Sequence, residues 1–251
     1  MRSLPAPNPT HRSRRAAQAL QRALLCLAIL LGAAKPLSAQ SEGIPEGFTS
    51  LFNGEDLTGW HVSRTNHHGT VGNFSVEDGA IVLKQHPFGQ GGILLTDTTY
   101  DDFELYWEFK GDAGTDGGVL FRSNESGSAY QLQIGGAGHR GTGRLMGELL
   151  RVTTTATAEK LDAVWRDGEW NAFRLRVVGV APHVTLWVNG VQMWAVQAER
   201  NDLIADATGG MIALQLHWSQ TPTPVPGGSC CAYSWRPGAA HRYRHIAIKE
   251  L

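Results

Sequence analysis

Large hydrogen-bonding side chains alternate with apolar side chains in several short segments of the chain. In residues 211–218 the apolar side chains occupy every second position, so Gln215 and His217 share the opposite face of an extended segment. A solvated sheet face usually carries Lys, Thr, Ser and Glu, so we favour a ligand-bearing face here and keep the solvated face as the alternative. The same alternation places further amide, carboxylate and guanidinium groups opposite the apolar side chains in other segments: Glu104, Glu108, Arg122, Gln131 and Gln133.

Aromatic residues near these polar groups indicate the kind of ligand. Sugar hydroxyls pair with amides and carboxylates, and the apolar face of a sugar ring stacks on an indole. Trp187 and Trp218 are the candidate stacking residues, although tryptophans in such positions also serve for packing alone. The pattern predicts a carbohydrate ligand.

The carboxylates do not have the spacing that ordinary sugar hydrolysis needs. A retaining glycosidase places two carboxyl groups ~5–5.5 Å apart, and an inverting one ~6.5–9.5 Å apart. Glu104 and Glu108 share a face, but four residues along a strand separate them by about 13 Å. A Gly-x-Ser-x-Gly elbow, a His-Glu-x-x-His motif and a phosphate-binding glycine loop are also absent from the sequence. Hydrolysis by two carboxylates is therefore disfavoured.

Period-two alternation extends along most of the chain and predicts strands rather than helices. Two dipeptides between apolar runs, Asn189-Gly190 and Asp78-Gly79, predict tight hairpins, because a type I′ turn needs positive φ at both central positions. Helical periodicity is hard to find beyond a short turn around residues 156–163. Short strands separated by turns over about 210 residues predict a single all-β sandwich.

The overall charge balance hides an asymmetry between the first 39 residues and the rest. The chain has 22 Lys and Arg against 23 Asp and Glu, and six of the basic residues but none of the acidic ones fall in the first 39. The remainder therefore holds sixteen basic residues against 23 acidic ones, a net charge of about −7. Nucleic-acid binding rests on clustered Lys and Arg, so we expect no nucleic-acid partner.

The first 39 residues have the layout of a secretory signal peptide. Residues 12–22 are basic, residues 23–31 form an apolar run too short to span a bilayer comfortably, and Leu37-Ser38-Ala39 is a plausible cleavage site. An uncleaved membrane anchor is the alternative. We expect residues 1–39 to be removed and residues 40–251 to form one domain that is secreted or periplasmic, without membrane contact after cleavage.

A series of motifs in the body of the chain resembles those of the secreted 3-keto-disaccharide hydrolase family, formerly a domain of unknown function. The resemblance covers about residues 45 to 251, and its motifs occur in the family's order: residues 47–60, 100–109, 117–122, 130–134, 168–171, 188–191, 212–217 and 243–251. The sequence departs from the family at two carboxylate positions. Gln131 stands where the family usually has Glu, and Glu148 stands where it usually has a small residue.

The resemblance implies an all-β, concanavalin- or glucanase-like jelly roll of two antiparallel sheets, and an activity on glycosides oxidised at C3. A C3 ketone acidifies the C2 proton, so the glycosidic bond can break by elimination and water can then add back. The reaction needs a base for the C2 proton, a group that stabilises the enolate and an acid for the departing oxygen. It needs no close pair of carboxylates.

Roles can be assigned to the candidate residues on this chemistry. His217 is the candidate base, because an imidazole titrates near neutral pH. Arg122 is the candidate partner of the enolate, and Glu108 is the candidate acid. A surface histidine, a salt bridge from Arg122 to Glu104 or Glu108, and a solvated Glu108 are the structural alternatives. The candidates for positioning the substrate are Glu104, Gln131, Gln133, Gln215, Trp187, Trp218 and Glu148, the last also as a second carboxylate for acid catalysis.

Two questions stay open at this point. No cofactor is certain, and a divalent metal is possible because His67, His68 and His139 could meet in space, although their spacing does not require it. The alternative to an enzyme is a non-catalytic carbohydrate-binding module on the same scaffold, which the amide at Gln131 favours.

Strand parity also predicts the shape of the site. The polar side chains oppose the core residues of each strand, so we expect them to line one groove. The predicted lining is Glu104, Glu108, Arg122, Gln133, Gln215 and His217.

We predict that the exported protein begins near Gln40, because Ala39 ends the small-residue cleavage motif that follows the apolar run. N-terminal sequencing of the exported protein checks this. A mature chain that begins upstream of Leu24 would retain the apolar run and would contradict the signal-peptide interpretation.

Overall fold

Alternating apolar side chains drive the pairing of strands around one shared core. The computed structural model describes residues 43–136, 141–220 and 235–251. Within these residues all strand pairs are antiparallel and form two sheets, which confirms the predicted all-β sandwich. In chain order the strands are β1 (Thr49–Ser50), β2 (Trp60–Val62), β3 (Asn73–Glu77), β4 (Ala80–Lys84), β5 (Gly92–Tyr100), β6 (Phe103–Gly111), β7 (Asp116–Ser123), β8 (Ala129–Gly135), β9 (Arg144–Glu148), β10 (Asn171–Val178), β11 (His183–Val188), β12 (Val191–Gln197), β13 (Gly210–Leu216) and β14 (His241–Glu250).

Consecutive strands often belong to different sheets. The first sheet has eight strands in the order β12-β11-β10-β6-β14-β4-β3, with β1 paired to β14. The second sheet has six strands in the order β2-β5-β13-β7-β8-β9. The chain therefore crosses from the second sheet to the first between β5 and β6, and back again between β6 and β7.

The core lies between the two sheets and is built from one face of each. Leu105, Trp107 and Phe109 of β6 are at most 1% exposed, and Trp107 stacks on Phe173 of β10 with ring centroids 5.1 Å apart. The second sheet contributes side chains such as Leu132 to the same apolar cluster. Because successive residues of a strand point to opposite sides, each sheet is left with its own outer face.

Both predicted hairpins are present, with the predicted backbone. Asn189 and Gly190 between β11 and β12 have φ of 48° and 80°, and Asp78 and Gly79 between β3 and β4 have φ of 51° and 73°. The helical turn expected around residues 156–163 is reduced to a single 3₁₀ turn at Leu161–Ala163. None of the helical segments described is long and apolar enough to cross a membrane. The predicted signal segment and His139 lie outside the described residues.

A buried guanidinium connects the two sheets at one end of the sandwich. Arg122 near the end of β7 is 2% exposed and has φ of 52°, at a register shift between β7 and β13. It donates two hydrogen bonds to the Asp101 carbonyl oxygen, one to the Gly179 carbonyl oxygen and one to the Asp102 carboxylate. Asp101 and Asp102 join β5 to β6, so this one side chain holds the crossover between the sheets.

We predict that Arg122→Ala lowers the free energy of unfolding by about 3 kcal/mol or more, because it leaves two carbonyl oxygens and a carboxylate without their donor. Arg200→Ala is the matched control: its guanidinium is 71% exposed and paired with Asp202, so we expect a loss below about 1 kcal/mol. Urea denaturation of both variants checks this. Equal losses would show that the Arg122 contacts do not hold the crossover.

Candidate functional site

The outer face of the six-stranded sheet carries two regular rows of side chains. In one row, Arg144 of β9, Gln133 of β8, Gly118 of β7 and Gln215 of β13 are successive register partners. In the next row the partners are Met146, Gln131, Leu120, Ala213, Leu95 and His61. A small buried apolar cluster of Ile93, Leu95, Leu120, Ala129 and Ala213 lies on this face. This outer face is therefore largely covered rather than solvated.

Two amides meet in this covered layer above a glycine. Gln131 is 3% exposed and Gln215 is 0% exposed, and Gln131 Nε2 donates to Gln215 Oε1 over 2.8 Å. Gly118 lies on the strand between them, and a Cβ at this position would come within 2.6 Å of Gln131 Nε2. The absence of a side chain at Gly118 is what lets the two amides reach each other across β7.

The amide pair continues into a carboxylate and two imidazoles. Gln215 Nε2 donates to Glu148 Oε2 over 2.9 Å and lies 2.9 Å from His68 Nε2. Glu148 Oε1 lies 3.3 Å from His68 Nε2 and 3.3 Å from His67 Nε2. The His68 side chain is fully buried, whereas that of His67 is 40% exposed. We call Gln131, Gln215, Glu148, His67 and His68 the polar cluster.

The loop between β2 and β3 positions both histidines. Asn66 Oδ1 accepts a hydrogen bond from the His68 backbone N–H over 2.9 Å, and the Gly91 N–H donates to the His68 carbonyl over 2.9 Å. At the start of the loop, the Ser63 N–H donates to the Ile93 carbonyl. These backbone contacts fix the loop against β5, so the two imidazoles are held over the sheet by the main chain.

Burial and charge act on the cluster in opposite directions. Burial lowers the pKa of His68, and the Glu148 carboxylate offsets only part of this effect. Burial raises the pKa of Glu148, but hydrogen bonds from His68 and Gln215 and the nearby imidazoles outweigh it, so the net pKa is lowered. Glu148 is therefore an ionised carboxylate near neutral pH.

His217 lies beside the polar cluster, just beyond the end of β13. Its ring centroid is 4.8 Å from that of His68, and it lies nearly parallel to Trp218 at 6.4 Å. His217 Nδ1 lies 2.7 Å from the Trp218 carbonyl oxygen, which can only accept, so Nδ1 carries the proton and Nε2 carries the lone pair. Gln85 Nε2 anchors the His217 carbonyl over 2.6 Å.

The structure separates the residues that were expected to line one groove. Gln133 and Gln215, like Gln131 and Glu148, lie on strands of the six-stranded sheet, and His217 and Trp218 follow directly after its strand β13. Glu104 and Glu108 instead point outward from β6 in the eight-stranded sheet. The single-groove prediction is wrong because parity fixes the face of a strand and does not fix the sheet that the strand joins. The whole core lies between the two sets.

The two carboxylates on the eight-stranded sheet form ion pairs with arginine side chains. Arg174 donates two hydrogen bonds to Glu104, and Arg176 lies 3.4 Å from it. Arg244 Nε donates to Glu108 over 2.7 Å. Trp187 is on the same outer surface, with the Arg174 guanidinium 5.2 Å from its ring centre. Glu104, Glu108 and Trp187 therefore cannot act together with His217.

Arg122 also lies far from the polar cluster. Ser123 pairs with Met211 and Gly117 pairs with Leu216, so Arg122 and His217 lie at opposite ends of these strands, roughly 17 Å apart along them. Its donors are used on Asp101, Asp102 and Gly179. The predicted contact of Arg122 with an enolate is wrong for a substrate at His217, and so is the alternative salt bridge to Glu104 or Glu108.

Sequence reasoning did not join His67 and His68 to Glu148. It named the two histidines as possible metal ligands together with His139, but nothing in the sequence pairs them with Glu148, about 80 residues away. Gly118 was the detectable signal, because a glycine pair interrupts an otherwise apolar strand that runs between two amide-bearing strands.

The sequence of the chain was compared with family models and with curated proteins. A family model described as 3-keto-alpha-glucoside-1,2-lyase-like domain matches residues 47–249. No functionally curated protein is significantly similar to the chain in sequence.

Similar solved structures share the jelly-roll architecture. A "putative glycosyl hydrolase" from Parabacteroides distasonis is 21% identical with a TM-score of 0.54, covering 82% of this chain and 94% of that one. A second such protein from the same organism is 19% identical with a TM-score of 0.50, covering 81% and 99%. A Bacillus subtilis protein of unknown function with a galectin-like fold is 11% identical with a TM-score of 0.51, covering 81% and 98%. At these identities the likeness shows the fold, and the expected jelly roll is confirmed.

A second ionisable group lies on the same outer face, at its β2 edge. His61 Nδ1 lies 2.7 Å from Asp97, and His61 Nε2 lies 3.0 Å from Glu125. Partial burial lowers the pKa of His61, but the hydrogen bonds and charges of Glu125 and Asp97 outweigh it and raise the net pKa. Burial raises the pKa of Glu125, but hydrogen bonds from His61 and from the Arg64 backbone, together with the charges of both residues, outweigh it and lower the net pKa. Beside this triad is a shallow depression of about 710 Å³, lined by His61, Val62, Ser63, Arg64, Thr65, Thr70 and Glu125.

We predict that this triad stabilises the fold most between about pH 5 and 6.5. A raised histidine pKa gives stability that is complete below the unfolded value of about 6.5 and is lost as pH rises through the folded value. The lowered Glu125 pKa gives stability that is lost as pH falls below about 4.3. The difference in urea midpoint between wild type and His61→Asn should therefore be larger at pH 6 than at pH 8.5. A difference that grows toward pH 8.5 would contradict the raised pKa.

Proposed function

The chain belongs to the family of 3-keto-alpha-glucoside-1,2-lyase-like domains, and from this premise we propose that it cleaves the glycosidic bond of a sugar that carries a ketone at C3. The observation that carries the proposal is the arrangement of His217 beside the polar cluster. An imidazole of fixed tautomer, an amide pair, a carboxylate and an indole lie together on one outer face. These groups are the ones that bind sugar hydroxyls and move a proton.

The first step is removal of the C2 proton by His217. Nε2 holds the lone pair because Nδ1 donates to the Trp218 carbonyl. The electron pair of the C2–H bond moves into the enolate of the C3 ketone. The electron pair of the enolate then forms the C1=C2 double bond while the bond from C1 to the aglycone oxygen breaks. The imidazolium at His217 returns the proton to the departing oxygen, and water adds hydrogen to C2 and hydroxyl to C1. The net reaction is hydrolysis.

The remaining groups hold the sugar in this mechanism. Glu148 is ionised and accepts hydrogen bonds, so it suits hydroxyl recognition and not proton donation. Gln133, half-buried in the same row as Gln215 and bonded to Asp116, provides a further amide at the edge of the cluster. Trp218, nearly parallel to His217, offers an indole face for stacking. We place this activity outside the cytoplasm, on the export signature of residues 1–39.

A binding module without catalysis is the second candidate. The observation in its favour is the uncharged, mutually bonded pair Gln131 and Gln215 at the centre of the cluster. Amides do not transfer protons, so a cluster centred on this pair suits a site that holds Glu148 and His68 in place for binding. The two candidates differ in one measurable property, the release of an aglycone.

We predict that His217→Ala lowers single-turnover aglycone release from a 3-keto-glucoside by ~10²–10⁴-fold, because a general base contributes this much. Affinity for the keto-sugar should change much less, since the amides and Glu148 remain. His183→Ala is the matched control, a histidine on β11 of the other sheet, and should keep the wild-type rate.

Two outcomes would decide against parts of this proposal. Equal rates for wild type and His217→Ala would remove His217 from the mechanism. No release by the wild type from several keto-glycosides, with and without added divalent metal, together with measurable binding of the sugar, would favour the binding module.

A further inference from the structure

Three residues of the polar cluster bring potential ligand atoms close together. One ligand atom from each of His67, His68 and Glu148 lies within 4.8 Å of the other two, and the Nε2 atoms of both histidines are 3.3 Å from Glu148 Oε1. Tetrahedral zinc with bonds of ~2.0–2.1 Å separates its ligand atoms by about 3.3–3.4 Å. The two nitrogen–oxygen edges match this value, and the third edge, between the two imidazoles, is at most 4.8 Å and closes if the exposed His67 ring turns toward His68.

The hydrogen bonds of the polar cluster compete at His68 Nε2. Gln215 Oε1 accepts from Gln131, so the group that Gln215 directs at His68 and Glu148 is its NH₂. A single ring nitrogen cannot accept from this donor and at the same time donate to Glu148 Oε1 only 3.3 Å away, so the two contacts of His68 Nε2 compete for one proton. A cation bound by both His68 Nε2 and Glu148 Oε1 would satisfy the two atoms together.

We propose that His67, His68 and Glu148 bind a divalent transition-metal ion of the zinc class. Two imidazoles and one carboxylate suit zinc or cobalt, whereas calcium and magnesium prefer sets of oxygen ligands. Three protein ligands are the number found in catalytic zinc sites, which keep a fourth position for water or substrate. Structural zinc sites are closed by four protein ligands instead.

Neighbouring groups fix the orientation of two of the three ligands. Gln215 Nε2 holds the other carboxylate oxygen of Glu148, and Gln131 holds Gln215. Asn66 and Gly91 hold the backbone on both sides of the His68 ring. Supporting contacts of this kind preorganise metal ligands and account for part of the affinity. The exposed His67 is the ligand at the entrance.

The role of the ion rests on the proposed function, but its binding does not. Beside His217, whose ring is 4.8 Å from that of His68, a bound ion is placed to polarise the C3 ketone and stabilise its enolate. The ion would supply the positive charge that stabilises the enolate. Arg122 cannot supply this charge, because it lies at the opposite end of the sheet.

Metal binding is tested without any sugar. The mature protein is freed of metal with a chelator and titrated with Co²⁺ by visible absorption and with Zn²⁺ by calorimetry. We expect one equivalent of each ion, with Zn²⁺ displacing Co²⁺ and bleaching its bands. Glu148→Gln and His67→Gln should each weaken binding at least tenfold. His61→Asn, which removes a histidine between two carboxylates on the same face, should leave binding unchanged.

The outcomes separate this inference from the proposed function. The site is overturned if the folded wild type binds neither ion at micromolar concentration, or if both ligand variants bind as tightly as the wild type. His67→Gln keeps the test valid if Glu148→Gln fails to fold, because the His67 side chain is 40% exposed. Binding without aglycone release would support the metal site and count against catalysis. Aglycone release that persists after chelation, with no ion bound, would support catalysis and count against the metal site.

Discussion

The hydrogen bond between the buried amides of Gln131 and Gln215 constrains everything around it. A buried polar group without a partner costs about 1–3 kcal/mol, so the NH₂ group of each amide needs an acceptor on a face where little water reaches it, and only Gln131 Oε1 of the pair is left without a partner. Gly118 has to lack a side chain for the two to meet, and Gln215 has to find acceptors for its NH₂ group. Those acceptors are Glu148 and His68, so this one contact links β8 and β13 to β9 and to the loop after β2.

This network gives the site its electrostatic character. One ionised carboxylate lies among three imidazoles, those of His67, His68 and His217, and the nearest cations on the opposite outer face are separated from it by the core. Arg174 and Arg244 neutralise Glu104 and Glu108 there, so that surface is balanced and structural. The two outer faces of the sandwich therefore have different chemistry, and the cluster beside His217 is the face suited to moving protons.

Local sequence patterns predicted much of the fold, but they could not predict which strands pair over long distances in the sequence. Alternation along β6, β8 and β13 correctly opposed polar to apolar side chains, and both glycine hairpins formed with positive φ at the expected residues. Parity could not show that β6 joins the other sheet, which separated Glu104 and Glu108 from His217. The register shift at Arg122 turned a residue expected in the groove into a buried clamp. The pairing of His68 with Glu148 depends on how a loop folds back over the sheet, which no local pattern encodes.

We propose that the functional face of the protein is the outer face of the six-stranded sheet. Measuring kcat/KM on a 3-keto-glucoside for two isosteric variants, Glu148→Gln and Glu108→Gln, tests this most directly, because each removes the charge of one mostly buried carboxylate from one outer face. We expect Glu148→Gln to lower kcat/KM at least tenfold and Glu108→Gln to keep a value close to that of the wild type. A loss confined to Glu108→Gln would place the chemistry on the opposite sheet and contradict the account.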